Sequence, residues 1–107
     1  MKISILLPYK EDFSPNYAGA VSLFVSQTVK NSFYKKEITI YGNTNYKEKL
    51  SSNYVNINLN KNILQSSSKI YVDKFIINVK KSNPDVIEVH NRPNYIKQIK
   101  ELYKNKI

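Results

Sequence analysis

Three polar residues, His90, Asn91 and Arg92, follow directly after the apolar run Val86–Val89. A short apolar run is typical of a parallel strand covered on both faces, and ligands of open α/β sheets bind beyond the carboxyl ends of such strands. His90 could act as a general acid or base, or donate a hydrogen bond to a sugar or phosphate. Arg92, the only arginine of the chain, could bind a phosphate or carboxylate through two parallel hydrogen bonds. The structural alternatives are a strand-end histidine bonded to backbone and an arginine in a surface ion pair.

A second candidate stretch is the loop Tyr9–Gly19, which follows the apolar segment Lys2–Leu7 and precedes a segment with helical periodicity. Free N–H groups and partial positive charge at a helix N-terminus suit a phosphate, and Gly19 would let a ligand approach the backbone closely. The loop lacks the full glycine-rich dinucleotide fingerprint and the P-loop lysine pattern. An ordinary helix-start turn is an equally good interpretation of Gly19.

The acidic residues near these loops favour structural roles. Glu88 lies within the apolar run, where a carboxylate at a sheet edge or in an ion pair is more common than a buried acid in a catalytic role. Glu11 and Asp12 form a charged pair on the first loop, and we expect them to be solvated. With one histidine and no cysteine, the chain offers no Ser-His-Asp or Cys-His set and no histidine or thiolate metal cluster.

Four segments have the composition of strands that would position these loops. They are Lys2–Leu7, Glu37–Gly42, Tyr54–Leu59 and Val86–Val89. The third alternates apolar and polar residues, so we expect it to be half exposed near a sheet edge. The stretches 43–53 and 61–64 have no periodicity and predict connections.

Three segments have the apolar spacing of helices. The first covers about residues 18–32, with Phe24 on its buried face and Phe33 extending that face. The second follows possible N-caps at residues 66–68, and Pro84 ends it and should hold Asn83 in an extended conformation. The third covers residues 94–106, with Pro93 near its start, where proline is well tolerated.

The resulting order, β-α-β-β-α-β-α, predicts an α/β fold: a Rossmann-like, doubly wound, mainly parallel sheet with helices on both faces. The first and fourth strands should be neighbours at the topological switch point, so that the two loops face one cleft. The chain stops directly after a helix, whereas a parallel sheet usually continues from such a helix into another strand. We therefore expect an incomplete domain.

The net charge of +9 suggests either a polyanionic partner or a compositional bias, since Lys, Asn, Ile and Tyr are abundant together and the lysines are scattered. Sites that read nucleic-acid bases depend on arginine, so we expect no nucleic-acid partner. An anionic membrane surface is the more plausible partner if the charge is functional. No apolar run reaches the length of a membrane span, and Pro8 interrupts the first apolar segment before it could form a signal-peptide core. These features indicate a cytoplasmic protein, with peripheral membrane contact as an option.

Three motifs together resemble the amino-terminal domain of a GT-B-fold glycosyltransferase of the retaining family 4 kind. They are Lys2-Ile3-Ser4-Ile5-Leu6-Leu7-Pro8, Tyr17-Ala18-Gly19-Ala20 and Asp85-Val86-Ile87-Glu88-Val89-His90-Asn91-Arg92-Pro93. The last is similar to the strand end of that family, Asp-Val-apolar-x-Val-His-(Asn/Asp/Glu)-x-Pro. The resemblance extends over nearly the whole chain, in the family's order.

The resemblance implies a cytoplasmic enzyme that moves a sugar from a nucleotide-sugar to a cell-envelope glycan or lipid-linked acceptor. Such an enzyme could also contact the inner face of the membrane. The resemblance implies no catalytic or metal-binding residue in this chain. It places substrate-binding residues in two loops: Asn16, Tyr17, Gly19, Ala20, His90, Asn91 and Arg92. It implies no cofactor besides the nucleotide-sugar substrate. The family carries two adjacent glycines where this chain has Ala18-Gly19, which weakens a phosphate contact there.

The same resemblance makes residues 1–107 a partial amino-terminal domain, because the carboxyl-terminal Rossmann domain that holds the nucleotide-sugar is absent. We expect that this chain alone does not catalyse transfer. The alternative is a non-catalytic Rossmann-like or flavodoxin-like module that binds a nucleotide or a partner. A receiver module should carry acidic residues after its first strand, where this chain has Leu7-Pro8-Tyr9, and a dinucleotide binder should have a richer glycine loop.

Overall fold

A computed structural model describes residues 1–59 and 67–102 and has the element order that the sequence predicts. The strands are β1 (Ile3–Leu6), β2 (Ile38–Gly42), β3 (Tyr54–Asn56) and β4 (Val86–Val89). The helices are α1 (Ala20–Lys30), α2 (Ser67–Ser82) and α3 (Pro93–Leu102), and a short 3-10 helix (Lys35–Glu37) precedes β2. The predicted connection 61–64, a cap at Ser66 and the end of the third helix at 103–106 lie outside the described residues.

The four strands form one sheet in the order β3-β2-β1-β4, and every neighbouring pair is parallel. Ile3 of β1 is opposite Ile38 of β2 and Val86 of β4. The predicted α/β class and the adjacency of the first and fourth strands are therefore confirmed. The third strand does lie at a sheet edge, but it is shorter than predicted because only Ile57 N, donating to Gly42 O at 2.7 Å, continues its pairing beyond Asn56.

Apolar side chains on both faces of the sheet form two cores, as a doubly wound fold requires. On one face Ile5, Leu7 and Ile40 pack with Phe13 and α1. On the other face α2 and α3 cover the sheet through a larger cluster. Its buried members are Leu6, Tyr41, Ile57, Tyr71, Val72, Phe75, Ile76, Val79, Ile87, Tyr95 and Ile99.

Helix α1 buries a narrower face than its sequence predicts. Val25 and Val29 are buried, but Phe24 is exposed and Phe33, beyond the helix end, is 94% exposed. The helix ends at Lys30, and a turn over 31–34 takes Phe33 off the helical face. The prediction that Phe24 and Phe33 belong to the core is wrong, since the sheet lies under only one side of this helix.

The junction of α2 and β4 corrects the expected conformation of Asn83. Asn83 has φ 50°, in the left-handed region, and its N–H donates to Val79 O at 2.7 Å. Asparagine tolerates this conformation, which closes the helix before the buried Pro84. Asp85 then holds β4 beside the start of β1, because Lys2 N donates to Asp85 Oδ2 at 2.8 Å.

None of the helices in the described part of the chain has the length and apolar character that a bilayer crossing requires.

Candidate functional site

The loops that follow β1, β2, β3 and β4 all leave the same edge of the sheet, because the strands are parallel. We call this the carboxyl edge. Ligand sites of open parallel sheets lie here. The first loop is tied to α3 by a hydrogen bond from Tyr9 N to Tyr95 Oη at 3.2 Å. The fourth is tied to β1 by His90 N, which donates to Leu6 O at 3.3 Å.

The N-terminus of α1 is filled by a side chain of the protein itself. Glu11 Oε2 accepts a hydrogen bond from Ser22 N at 3.1 Å, and the carboxylate lies against Gly19. A carboxylate is favourable at this position because it meets free N–H groups and the positive end of the helix. The expectation that Glu11 is solvated is wrong, and the place where the sequence suggested a phosphate is occupied by Glu11.

Asp12 and Thr44 join the loops that follow β1 and β2. Thr44 Oγ1 donates to Asp12 Oδ1 at 2.6 Å and accepts a hydrogen bond from Tyr46 N at 3.3 Å. Thr44 N donates to Asn56 Oδ1 at 2.8 Å, so the last residue of β3 also holds this loop. Thr44 is buried, and Asp12 is thus part of a network and not a solvated carboxylate.

A polar cleft of about 580 Å³ opens beside this network at the carboxyl edge. Its lining consists almost wholly of side chains that donate or accept hydrogen bonds: Tyr9, Lys10, Asp12, Asn43, Thr44, Asn45, Asn58, Leu59 and Ser67. We call this set the polar cleft. Lys10 has φ 64°, a left-handed conformation that non-glycine residues rarely adopt and that is enriched at functional sites. The volume of the polar cleft is in the range of small-ligand sites.

An aromatic pair stands on the same two loops. The rings of Tyr17 and Tyr46 are stacked with centroids 4.4 Å apart and planes 10° from parallel. Tyr17 is 60% exposed and Tyr46 38% exposed. Exposed aromatic faces beside hydrogen-bonding groups can contact the apolar faces of a ligand ring.

The residues after β4 form a second group on the other side of β1. His90 Nε2 donates to Glu88 Oε2 at 2.6 Å, and the His90 ring meets Phe24 of α1 at 6.2 Å between centroids. Glu88 is thus paired with a neighbouring side chain, one of the two roles that its sequence context predicts. His90 bonds the Glu88 carboxylate through its ring and Leu6 O through its backbone N–H. Asn91 has φ 55°, and Arg92 Nη1 donates to Asn91 O at 2.7 Å. Among the described residues Arg92 has no ion pair.

The seven substrate-binding residues expected from the sequence are all near the carboxyl edge, but none lines the polar cleft. Asn16 and Ala20 are exposed near the start of α1, and Gly19 lies under the Glu11 carboxylate. Their roles stay predictions. The cleft residues that the sequence analysis does not predict include Asn43–Asn45, which directly follow β2, and Asn58, which lies two residues beyond β3. The carboxyl-end rule applied to β2 finds the first three, but the predicted third strand, Tyr54–Leu59, includes Asn58.

Two tyrosines near the site are held protonated. Burial, and secondarily the charge of Asp12, raises the pKa of Tyr54 well above its usual range. Burial likewise raises the pKa of Tyr71, whose hydroxyl donates to Leu7 O at 2.6 Å. These hydroxyls act as hydrogen-bond donors at neutral pH. In residues 1–59 and 67–102 no group of three or more His, Cys, Asp or Glu side chains could hold a metal ion.

Comparison with known proteins gives no relative: no family model, no curated protein and no solved structure matches the chain.

Proposed function

We propose that this chain is the acceptor-binding, amino-terminal unit of a GT-B-fold glycosyltransferase similar to family 4. In this proposal the complete enzyme moves a sugar from a nucleotide-sugar to a cell-envelope glycan or lipid-linked acceptor. The observation that carries the proposal is the polar cleft at the carboxyl edge. The cleft includes residues of the loop after β1. The neighbouring strand, β4, ends at His90, in the motif that resembles the family.

The chemistry of the cleft fits a polyhydroxylated ligand. Asn and Asp side chains bind neighbouring sugar hydroxyls, because an amide both donates and accepts and a carboxylate accepts two hydrogen bonds. Asn45 and Asn58 are exposed at the cleft, while Asp12 and Thr44 form its fixed base. The exposed Tyr17–Tyr46 pair offers an apolar surface nearby.

The role of His90 in this proposal is to hold an acceptor hydroxyl. Glu88 fixes the imidazole through Nε2, which leaves Nδ1 free to accept a hydrogen bond. Arg92, without a carboxylate partner among the described residues, remains available for an anionic group of the acceptor. Neither side chain is assigned to the chemical step.

The nucleotide-sugar is assigned to a second domain, and the chain by itself is proposed to bind the acceptor without transferring sugar. The transferase would act in the cytoplasm, at the inner face of the membrane when the acceptor is lipid-linked. A nucleotide-binding module is the alternative. Glu11 disfavours it, because a phosphate at the N-terminus of α1 would have to displace this carboxylate.

The first test is an NMR titration of the isotope-labelled 107-residue chain with methyl glycosides of glucose, mannose and N-acetylglucosamine, and with UDP in parallel. We expect a glycoside to shift the amide signals of Thr44, Asn45 and Asn58. Asn45→Ala should weaken this binding, whereas Asn78→Ala, an exposed change on α2, should not. Shifts with UDP alone, centred on Gly19, would favour the nucleotide-binding module instead.

The second test concerns transfer. The native polypeptide that carries this sequence is assayed with radiolabelled nucleotide-sugars and a membrane extract from its source. The proposal expects label in a glycan or lipid fraction. No transfer with any donor would remove the enzyme from the proposal, even if the chain binds glycosides.

A further inference from the structure

The edge of the sheet opposite the polar cleft gathers the ends of several elements. Helices α1 and α2 run antiparallel to the strands, so both end where β1 and β2 begin. Contacts confirm this proximity: the Met1 α-ammonium bonds Glu37 Oε2 at 3.0 Å, and Lys2 Nζ donates to Ser82 O at 3.2 Å. We call this the amino edge.

The amino edge is rich in unpaired positive charge. Its exposed lysines come from the end of α1, the 3-10 helix and the end of α2: Lys30, Lys35, Lys36, Lys80 and Lys81. In the described part of the chain none of the five has an ion pair. The carboxylates nearby are engaged, since Glu37 bonds the N-terminus and Asp85 accepts from Lys2 N. The fold thus collects lysines that are scattered in the sequence.

Phe33 lies in the turn between α1 and the 3-10 helix, with Lys30 before it and Lys35 and Lys36 after it. It is 94% exposed, the largest exposed fraction among the large apolar side chains of the described residues. The turn that carries it is well defined: Tyr34 N donates to Ser32 Oγ at 3.1 Å and Glu37 N donates to Tyr34 O at 2.8 Å. The rings of Phe33 and Tyr34 meet edge to face at 5.5 Å. An ordered turn therefore holds an aromatic residue in solvent between lysines on either side.

We propose that the amino edge binds the surface of a lipid bilayer with anionic headgroups. Phe33 enters the interface, Tyr34 lies at headgroup level, where amphipathic rings are favoured, and the lysines contact the headgroups. Each lysine near an anionic membrane surface strengthens binding about fivefold. An apolar side chain together with a basic cluster gives the two signals that stable peripheral binding requires.

The chemistry of this edge favours lipid over nucleic acid. Base-reading surfaces depend on arginine, and the one arginine of the chain, Arg92, is at the opposite edge. A headgroup layer needs only positive charge and an apolar side chain that can enter it. The proposal does not depend on the glycosyltransferase assignment, since it follows from the amino edge alone. If both hold, the polar cleft faces away from the bilayer, which suits an extended glycan acceptor.

The test is sedimentation of the 107-residue chain with vesicles of phosphatidylcholine, with or without about a third phosphatidylglycerol. We expect binding to the anionic vesicles only, with loss at high salt because exposed charges are screened. Lys35→Ala with Lys36→Ala should weaken binding about twentyfold or more, at about fivefold for each lysine. The matched control, Lys47→Ala with Lys97→Ala, removes the same charge elsewhere and should retain most of the binding.

Insertion of the apolar side chain has its own readout. The chain has no tryptophan, so Phe33→Trp gives a single reporter whose emission should shift to the blue with anionic vesicles and be quenched by brominated lipid. Phe24→Trp, on exposed α1 surface away from the amino edge, is the control and should not shift. Phe33→Ser should weaken vesicle binding without changing the circular dichroism spectrum.

Three results would overturn the proposal. They are equal loss of binding in the two double-lysine variants, unchanged emission of Phe33→Trp on bound vesicles, and binding of a single-stranded oligonucleotide in the absence of vesicle binding. The last would identify a nucleic-acid surface instead. Sugar binding at the polar cleft is expected to be unchanged in Phe33→Ser, so failure here and failure of the proposed function are separable.

Discussion

The carboxylate of Glu11 packs so closely on Gly19 that a Cβ atom at residue 19 would clash with Glu11 Oε2. Gly19 itself has an ordinary extended backbone, with φ −74°. The close contact with the carboxylate, and not the backbone conformation, therefore favours glycine at this position. The arrangement gives α1 an acidic group at its N-terminus, although the helix has no acidic residue in its own first turn.

Gly19→Ala should destabilise the protein by about 2 kcal/mol, of which about 1 kcal/mol is the ordinary cost of alanine at a helix N-cap and the rest is the lost interaction of the Glu11 carboxylate with the helix N-terminus. The new Cβ displaces the Glu11 carboxylate and breaks its bond to Ser22 N. Urea unfolding followed by circular dichroism measures the change in the free energy of unfolding.

A double-mutant cycle separates this cause from a general intolerance of residue 19. In a Glu11→Ala background the carboxylate is gone, and Gly19→Ala should then cost only about 1 kcal/mol, the ordinary preference for glycine over alanine at a helix N-cap. An equal cost in both backgrounds would mean that Glu11 is not the reason for the glycine.

The sequence predicts the order of elements and the sheet topology well, because each strand and helix has its own apolar period. Proline and glycine mark several of the boundaries, among them Gly19 before α1 and Pro84 between α2 and β4. The errors concern residues whose environment is set by distant elements. Phe24 and Phe33 have core-like character, yet the sheet lies under the other side of α1, which periodicity cannot reveal. Asn83 precedes proline, yet closing the helix decides its conformation.

The candidate site is predicted less well than the fold for the same reason. The bond between Thr44 and Asp12 joins residues 32 positions apart, and nothing in either local sequence indicates it. Glu11 is separated from Ser22 by a whole loop. The His90–Glu88 pair, by contrast, was accessible from the sequence, because residues two apart in a strand lie on the same face.

Stability should fall above about pH 10, and Tyr71 should contribute to the fall. Burial holds the pKa of Tyr71 above its ordinary value of about 10. Above that pH the unfolded chain releases the Tyr71 proton while the folded chain keeps it, so rising pH favours unfolding. A fully buried tyrosine contributes about 1.4 kcal/mol per pH unit in this range, measured by urea unfolding at several alkaline pH values.

Tyr71→Phe isolates this contribution. The variant loses the hydrogen bond to Leu7 O and should be about 1 kcal/mol less stable at neutral pH, but its stability should fall less steeply above pH 10. Tyr34→Phe removes a partly exposed hydroxyl and should match the wild type at both pH values. The same alkaline slope in Tyr71→Phe and in the wild type would show that this tyrosine ionises normally in the folded protein.

Under the proposed function, His90→Ala should lower sugar transfer by the native polypeptide about tenfold in kcat/KM, the value of one hydrogen bond to the acceptor. The proposed function places the loss in the KM for the acceptor, with the KM for the nucleotide-sugar unchanged. Initial rates with each substrate varied in turn measure this split. Glu88→Ala should cause a smaller increase in the KM for the acceptor, because the His90 ring is then no longer oriented by the Glu88 carboxylate. An increased KM for the nucleotide-sugar would instead place His90 at the donor.

Under the proposed function, Thr44→Val should lower both stability and sugar binding, because the same hydroxyl holds Asp12 at the base of the polar cleft. The substitution keeps the shape of the buried side chain but leaves Asp12 Oδ1 and Tyr46 N without their partner. Such unpaired groups cost about 1–3 kcal/mol, and Asp12 is then free to move out of the base of the polar cleft. Thr44→Ser retains the hydroxyl and should keep glycoside binding even if it loses some packing. If Thr44→Val and Thr44→Ser bind the methyl glycosides equally well in the NMR titration, the network does not shape the cleft, and recognition there depends on the exposed Asn45 and Asn58 alone.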